Sequence, residues 1–176
     1  MRSWSVILSA GLATAVAFAA DRPASGQTAA HQHGAARLQV SLDGRALLIG
    51  YEGPAENILG FEHAPKTDAQ KKTVARAEEQ LKQPGQLFVI PPAAECRAQP
   101  SRVEVKLPAA GSGETHSEIE TEWRWECAKP EALTHVDVGL FKAFPRLKQL
   151  SAQIVTAKGQ TTAVLKPNTT RLKLAA

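Results

Sequence analysis

Residues 38–43 alternate apolar and polar side chains one by one, with Leu38, Val40 and Leu42 set against Gln39, Ser41 and Asp43. That period of two predicts a strand with one face on a core and the other in water. Asp43-Gly44 is a hairpin turn signal, and the apolar run 46–52 supplies a returning strand that Gly53-Pro54 ends. Residues 55–65 read as a loop or a short helix. Thr67-Asp68-Ala69-Gln70 spells a capping box. The helix it opens carries Val74, Ala77 and Leu81 as a narrow apolar stripe and stops at Pro84-Gly85.

A short strand at 87–90 is halted by Pro91-Pro92, and residues 102–107 alternate again with Val103, Val105 and Leu107 inward. The longest strand, 117–127, sends Ile119, Thr121, Trp123, Trp125 and Cys127 to one face and Glu118, Glu120, Glu122, Arg124 and Glu126 to the other. The acidic row can be taken for a calcium site, but a flat strand spreads carboxylates that a calcium loop would converge. Arg102 and Lys106 on the neighbouring strand are its expected partners. A strand near 136–138, a turn at 139–145 packing Leu140, Phe141 and Phe144 inward, and strands at 150–155, 161–165 and 170–174 complete the pattern. Many short strands with one well-formed helix predict an α+β class, mainly antiparallel β-sheet, in a single domain over residues 31–176.

The start of the chain reads differently. Met1-Arg2-Ser3 is a short positive segment, residues 4–18 are almost wholly apolar, and Ala17-Phe18-Ala19 has the small-x-small pattern of a cleavage site. Residues 1–19 therefore read as a secretory signal peptide, and 20–30 as a flexible leader. The expected product is exported to a bacterial periplasm, with no stable membrane insertion after processing. In that oxidising compartment Cys96 and Cys127, the only two cysteines, are expected to form a disulfide. Metal thiolates are the alternative, but neither a CxxC spacing nor a histidine close to either cysteine supports them.

A net charge of +4 comes from interspersed Lys and Arg rather than a basic block, which argues against a nucleic-acid partner. There is no Gly-rich phosphate loop and no nucleophile-elbow motif. The remaining chemistry lies in 5 histidines. His31-Gln32-His33 points two imidazoles the same way from an extended chain. Glu62-His63 lies before the helix, His116 opens the longest strand beside Glu118, and His135 precedes Val136. With Glu52, Glu56 and Glu62 nearby in sequence, these residues offer nitrogen and oxygen donors that zinc accepts. With the thiols tied up and Met1 removed, no soft sulfur ligand is left for copper(I); zinc leads, and copper(II) or nickel follow. Cleavage after Ala30 would instead put His33 third in a new terminus, an arrangement suited to square-planar copper(II) or nickel.

The words His31-Gln32-His33-Gly34-Ala35-Ala36, Ile58-Leu59-Gly60-Phe61-Glu62-His63-Ala64-Pro65, His116-Ser117-Glu118 leading to Cys127, and Leu140-Phe141-Lys142-Ala143-Phe144-Pro145 resemble the ZrgA-type zinc-regulated periplasmic proteins of Gram-negative bacteria. The resemblance runs from His31 to Leu174. It implies a non-catalytic accessory role in zinc acquisition: binding zinc in the periplasm and supporting a zinc importer. By position it implies His31, His33, His63 and His116 as metal ligands, with Glu62 and Glu118 as ligands or supporting groups. Members of the family often carry a His- and Asp-rich insert before the His-Ser-Glu word. Here residues 108–115 hold no histidine, which implies one modest site, or two, rather than a high-capacity scavenger. Protonation of the imidazoles would release the ion as pH falls toward about 6. Two other readings stay open: a metal-independent envelope module that binds a protein partner, and an enzyme with an open-coordinate metal and an activated water.

Overall fold

The computed structural model describes residues 33–109 and 117–174. The expected signal peptide and leader, together with His31 and His116, lie outside the described residues. The first hairpin joins β1 (Ala35–Asp43) to β2 (Ala46–Pro54), with Gly44 at φ +54° in its turn. A single helical turn, α1 (Glu56–Leu59), follows and ends in left-handed Gly60. The long helix α2 (Asp68–Leu81) starts as its capping box dictates: the Thr67 hydroxyl accepts from the Gln70 N–H, and the Gln70 side chain accepts from the Thr67 N–H.

Helix α3 (Pro84–Leu87) takes up Leu87, which the sequence pattern lends to a strand. Pro84 starts the turn and Leu87 completes it, so β3 keeps only Phe88–Val89. Strands β4 (Cys96–Ala98), which the alternation does not announce, and β5 (Arg102–Lys106) precede the longest strand, β6 (Glu118–Cys127). Then come β7 (His135–Val138), the turn α4 (Leu140–Ala143), β8 (Gln149–Thr156), β9 (Gly159–Leu165) and β10 (Arg171–Lys173).

The strands form two sheets. The larger has the order β4-β6-β2-β1-β8-β9, and β5 also pairs with β6. Strand β4 covers β6 from Trp125 to Cys127, and β5 covers it from Glu118 to Glu122. The smaller sheet is β10-β7-β3. Neighbours are antiparallel except β1 and β8, which run parallel, so the class is α+β with a mainly antiparallel sheet.

The face assigned inward on β6 is the one buried: Ile119, Thr121, Trp123, Trp125 and Cys127 are all in the core. Trp123 is fully buried, and its indole N–H donates to the Leu81 carbonyl at 2.6 Å. The last turn of α2 thus gains a partner for one of its unpaired carbonyls and is fixed to the sheet. Phe88 of the small sheet meets Trp123 and Trp125 edge-on, with ring centroids 4.8 and 5.6 Å apart. Two sheets and one helix therefore close on the same tryptophan.

On the outer face the acidic row of β6 is met by cations. Lys106 Nζ lies 2.5 Å from Glu120 and Arg45 3.2 Å from Glu126. Arg102 turns to Glu104 on its own strand instead, at 3.3 Å. The hydrogen bond from Lys106 holds the Glu120 carboxyl below its ordinary range. In the small sheet Arg171 grips Asp137 with two hydrogen bonds of 2.7 and 2.8 Å, which likewise depress the Asp137 carboxyl. The cysteines face each other across β4 and β6 and are joined as a disulfide.

That disulfide closes a loop spanning 31 positions, so replacing both cysteines by alanine lowers the unfolding free energy by about 3–4 kcal/mol on the chain-entropy account. A urea midpoint equal to that of the unmodified protein contradicts this. The depressed Asp137 and Glu120 carboxyls contribute stability that is complete above the unfolded carboxylate range and is lost as pH falls through it. Unfolding free energy therefore drops below about pH 4, and less steeply in Asp137→Asn; parallel acid limbs for the two proteins contradict the assignment.

Candidate metal centre

The start of β1 is tied to α1 by one buried side chain. Asn57 Oδ1 accepts from the Gly34 N–H at 2.7 Å, and Asn57 Nδ2 donates to the Ala35 carbonyl at 2.8 Å. The Gly34 carbonyl in turn accepts from the Lys148 and Gln149 N–H groups at 2.7 and 2.9 Å. Gly34 itself is left-handed at φ +81°, and a Cβ there would stand 3.0 Å from Lys148 Cγ, so only glycine fits without strain. The residue before this anchored glycine is His33. Tyr51, buried in the core, has its phenol pushed above the ordinary range by burial, so it stays protonated.

Glu56 occupies the first turn of α1. Gly60 then reverses the chain at φ +83°, with the Arg146 guanidinium so close that a Cβ would come within 2.6 Å of its Cζ. The reversal brings Glu62 back beside Glu56. One ligand atom each from His33, Glu56 and Glu62 lies within 4.8 Å of the other two. Among the described residues these form the group of metal-ligating type. His33 is exposed, the two glutamates are half-buried, and His33 Nδ1 contacts Glu56 Oε2.

The donor set suits zinc. One imidazole nitrogen and two carboxylate oxygens make three protein ligands and leave a fourth tetrahedral position open. Tetrahedral bonds near 2.0–2.1 Å set ligands roughly 3.4 Å apart. The three ligand atoms therefore lie near that spacing, all within 4.8 Å of one another, and side-chain rotation adjusts the rest. An exposed site with an open position lets an ion enter and leave without unfolding.

The other residues singled out from sequence are placed as follows. His63 lies outside this group; its ring stacks on Phe61 with centroids 5.2 Å apart, and its Nδ1 is 2.8 Å from the Ala64 carbonyl. A carbonyl only accepts, so Nδ1 carries the hydrogen and Nε2 of the neutral ring keeps a free lone pair. That is the arrangement seen when a backbone carbonyl orients a metal-binding histidine. Glu118 stands on the sheet, opposite Lys106 and Pro54, where its charge acts on Lys106 and its side chain shares a hydrogen bond with Glu120. His135 hydrogen-bonds with Thr134 at 2.9 Å at the opposite end of the molecule. The disulfide takes both thiols out of the ligand set. His31 and His116 fall outside the described residues; Ser117, next to His116, accepts a hydrogen bond from the Ala55 N–H, one residue before Glu56.

Glu56 is the member that the sequence pattern undersells. It is visible there as a nearby oxygen donor, and the signal that promotes it is the left-handed Gly60, which folds residues 56 and 62 onto one side.

Residues 30–174 match the family model described as ZrgA family zinc uptake protein. No curated protein matches the chain. Among the described residues, no helix is long and apolar enough to cross a membrane.

If Asn57 positions His33, Asn57→Ala leaves the Gly34 N–H and the Ala35 carbonyl without their buried partner and costs about 1–3 kcal/mol of stability. Urea unfolding of the variant measures it; a change below a few tenths of a kcal/mol contradicts the anchoring role.

Proposed function

The chain belongs to the ZrgA family of zinc uptake proteins, and from that premise we propose that it is a non-catalytic, periplasmic zinc-binding accessory protein that supports a zinc importer. The observation that carries the reading is the convergence of His33, before β1, with Glu56 and Glu62, from the segment after β2, onto one point of the surface. His33 supplies the nitrogen, and the two glutamates supply oxygens and cancel the ion's charge. The fourth position is filled by water or by one of His31, His63 and His116.

A site this open favours handover over storage. Few protein ligands and an exposed imidazole give fast exchange, as a carrier that yields its ion to an importer requires. The family's cargo supports zinc over copper(II) and nickel. The same nitrogen and oxygen donors bind copper(II) at least as tightly by the general order of divalent affinities, so selectivity rests on which ion is available. The apolar start of the chain and the disulfide support export to an oxidising compartment.

Calorimetric titration of chelator-treated protein beginning at residue 20 tests the reading. Zinc binds with micromolar or tighter affinity, and His33→Ala and Glu56→Gln each weaken it at least about tenfold, as loss of one of three ligands should. Absence of zinc heat overturns it and leaves a metal-independent interaction module; full affinity in a variant lacking all three side chains overturns this ligand set. Periplasmic extraction followed by mass spectrometry checks the location: the recovered chain lacks residues 1–19, and recovery of an intact chain from the cytoplasm contradicts it.

A further inference from the structure

At the far end of β1 from the metal group the two sheets part and leave an open cavity of about 630 Å³. The separation is large: β1 has 9 residues at about 3.3 Å each, hence roughly 30 Å. Leu42, Leu133 and Leu174 form its apolar walls; the last two are otherwise buried in the core. The charge around it is uneven. Lys158 from the β8–β9 turn and Arg171 and Lys173 from β10 face a single acid, Glu131. Asp137 already holds Arg171 in two hydrogen bonds, so Lys158 and Lys173 remain against Glu131 alone. Thr134 and His135, joined by their hydrogen bond, add a polar corner between the leucines and Lys173.

Size, walls and charge together describe one kind of occupant. Apolar walls with a few converging polar groups, in a space of several hundred Å³, are what small-molecule sites present. Two lysines against the one glutamate, Glu131, leave a single positive charge at its mouth, which complements one negative charge. A metal ion would find one carboxylate here, and a cationic ligand would meet like charge. We propose that this cavity binds a free amphipathic organic anion, an apolar body ending in one carboxylate or sulfonate, with the body against the leucines and the charged end between Lys158 and Lys173. The site is separate from the metal group and does not depend on its occupancy.

Anilinonaphthalene sulfonate and decanoate are the probes. The fluorescent sulfonate binds the folded, chelator-treated protein saturably at one site, decanoate displaces it, and decylamine, with the same tail and opposite charge, does not. Lys158→Glu with Lys173→Glu weakens binding about tenfold, the scale of reversing two exposed ion pairs, and added salt weakens it in the unmodified chain. Both lysines are exposed; if the double variant still fails to fold, the decanoate–decylamine contrast in the unmodified chain decides. His33→Ala leaves the fluorescence titration unchanged, which separates this site from the zinc reading. Equal displacement by decylamine, unsaturable fluorescence, or undiminished binding in a folded double variant overturns the proposal. So does association only with anionic lipid vesicles while soluble decanoate does not bind, or protein self-association that abolishes probe binding.

Discussion

The position of the central strand depends on a buried amide. Asn57 is the side chain that holds both the Gly34 N–H and the Ala35 carbonyl, and β1 lies between β2 and β8 in the middle of the large sheet. Moving the start of β1 by one residue would turn its apolar set, Ala36, Leu38 and Val40, to the outer face. The same two bonds fix the end of the strand that carries His33. Sheet register and the position of His33 therefore share one constraint, and the reversal at Gly60 adds the two glutamates beside it.

Around that anchor the molecule divides its chemistry by location. Strand β6 gives its inner face to the tryptophan core and its outer face to paired charges, so its glutamates are occupied by lysine and arginine. Carboxylates with cationic partners are poor ligands, because binding an ion means giving up an interaction already made. Glu56 and Glu62 differ: they stand at a chain reversal, half-buried, with an imidazole as neighbour. Which glutamates are candidates for metal binding thus depends on what else is within reach, not on how many lie close together in sequence.

Much of the fold was legible in the residues. Strict alternation located β1, β5 and β6, and the capping box located α2, because each signal is local and its physics is complete within a few residues. The parallel pairing of β1 with β8 was not legible, since it depends on which edges remain free after the rest of the chain has folded. Strand β4 escaped because three residues carry no period, and its place is fixed by the disulfide partner on β6. For the metal group, His33 and Glu62 were legible from the His-x-His and Phe-Glu-His words. Glu56 required the three-dimensional reversal at Gly60, and Glu118 looked equivalent to Glu62 until the charges of the neighbouring strand were placed beside it.

The most direct test of the central claim is a zinc-soaked crystal, with anomalous diffraction measured at the zinc edge. The account predicts an anomalous peak bonded at about 2.0–2.2 Å to a His33 nitrogen and to carboxylate oxygens of Glu56 and Glu62, with one further ligand completing a tetrahedron. A peak on the outer face of β6, or none at a concentration that saturates binding in solution, would contradict it.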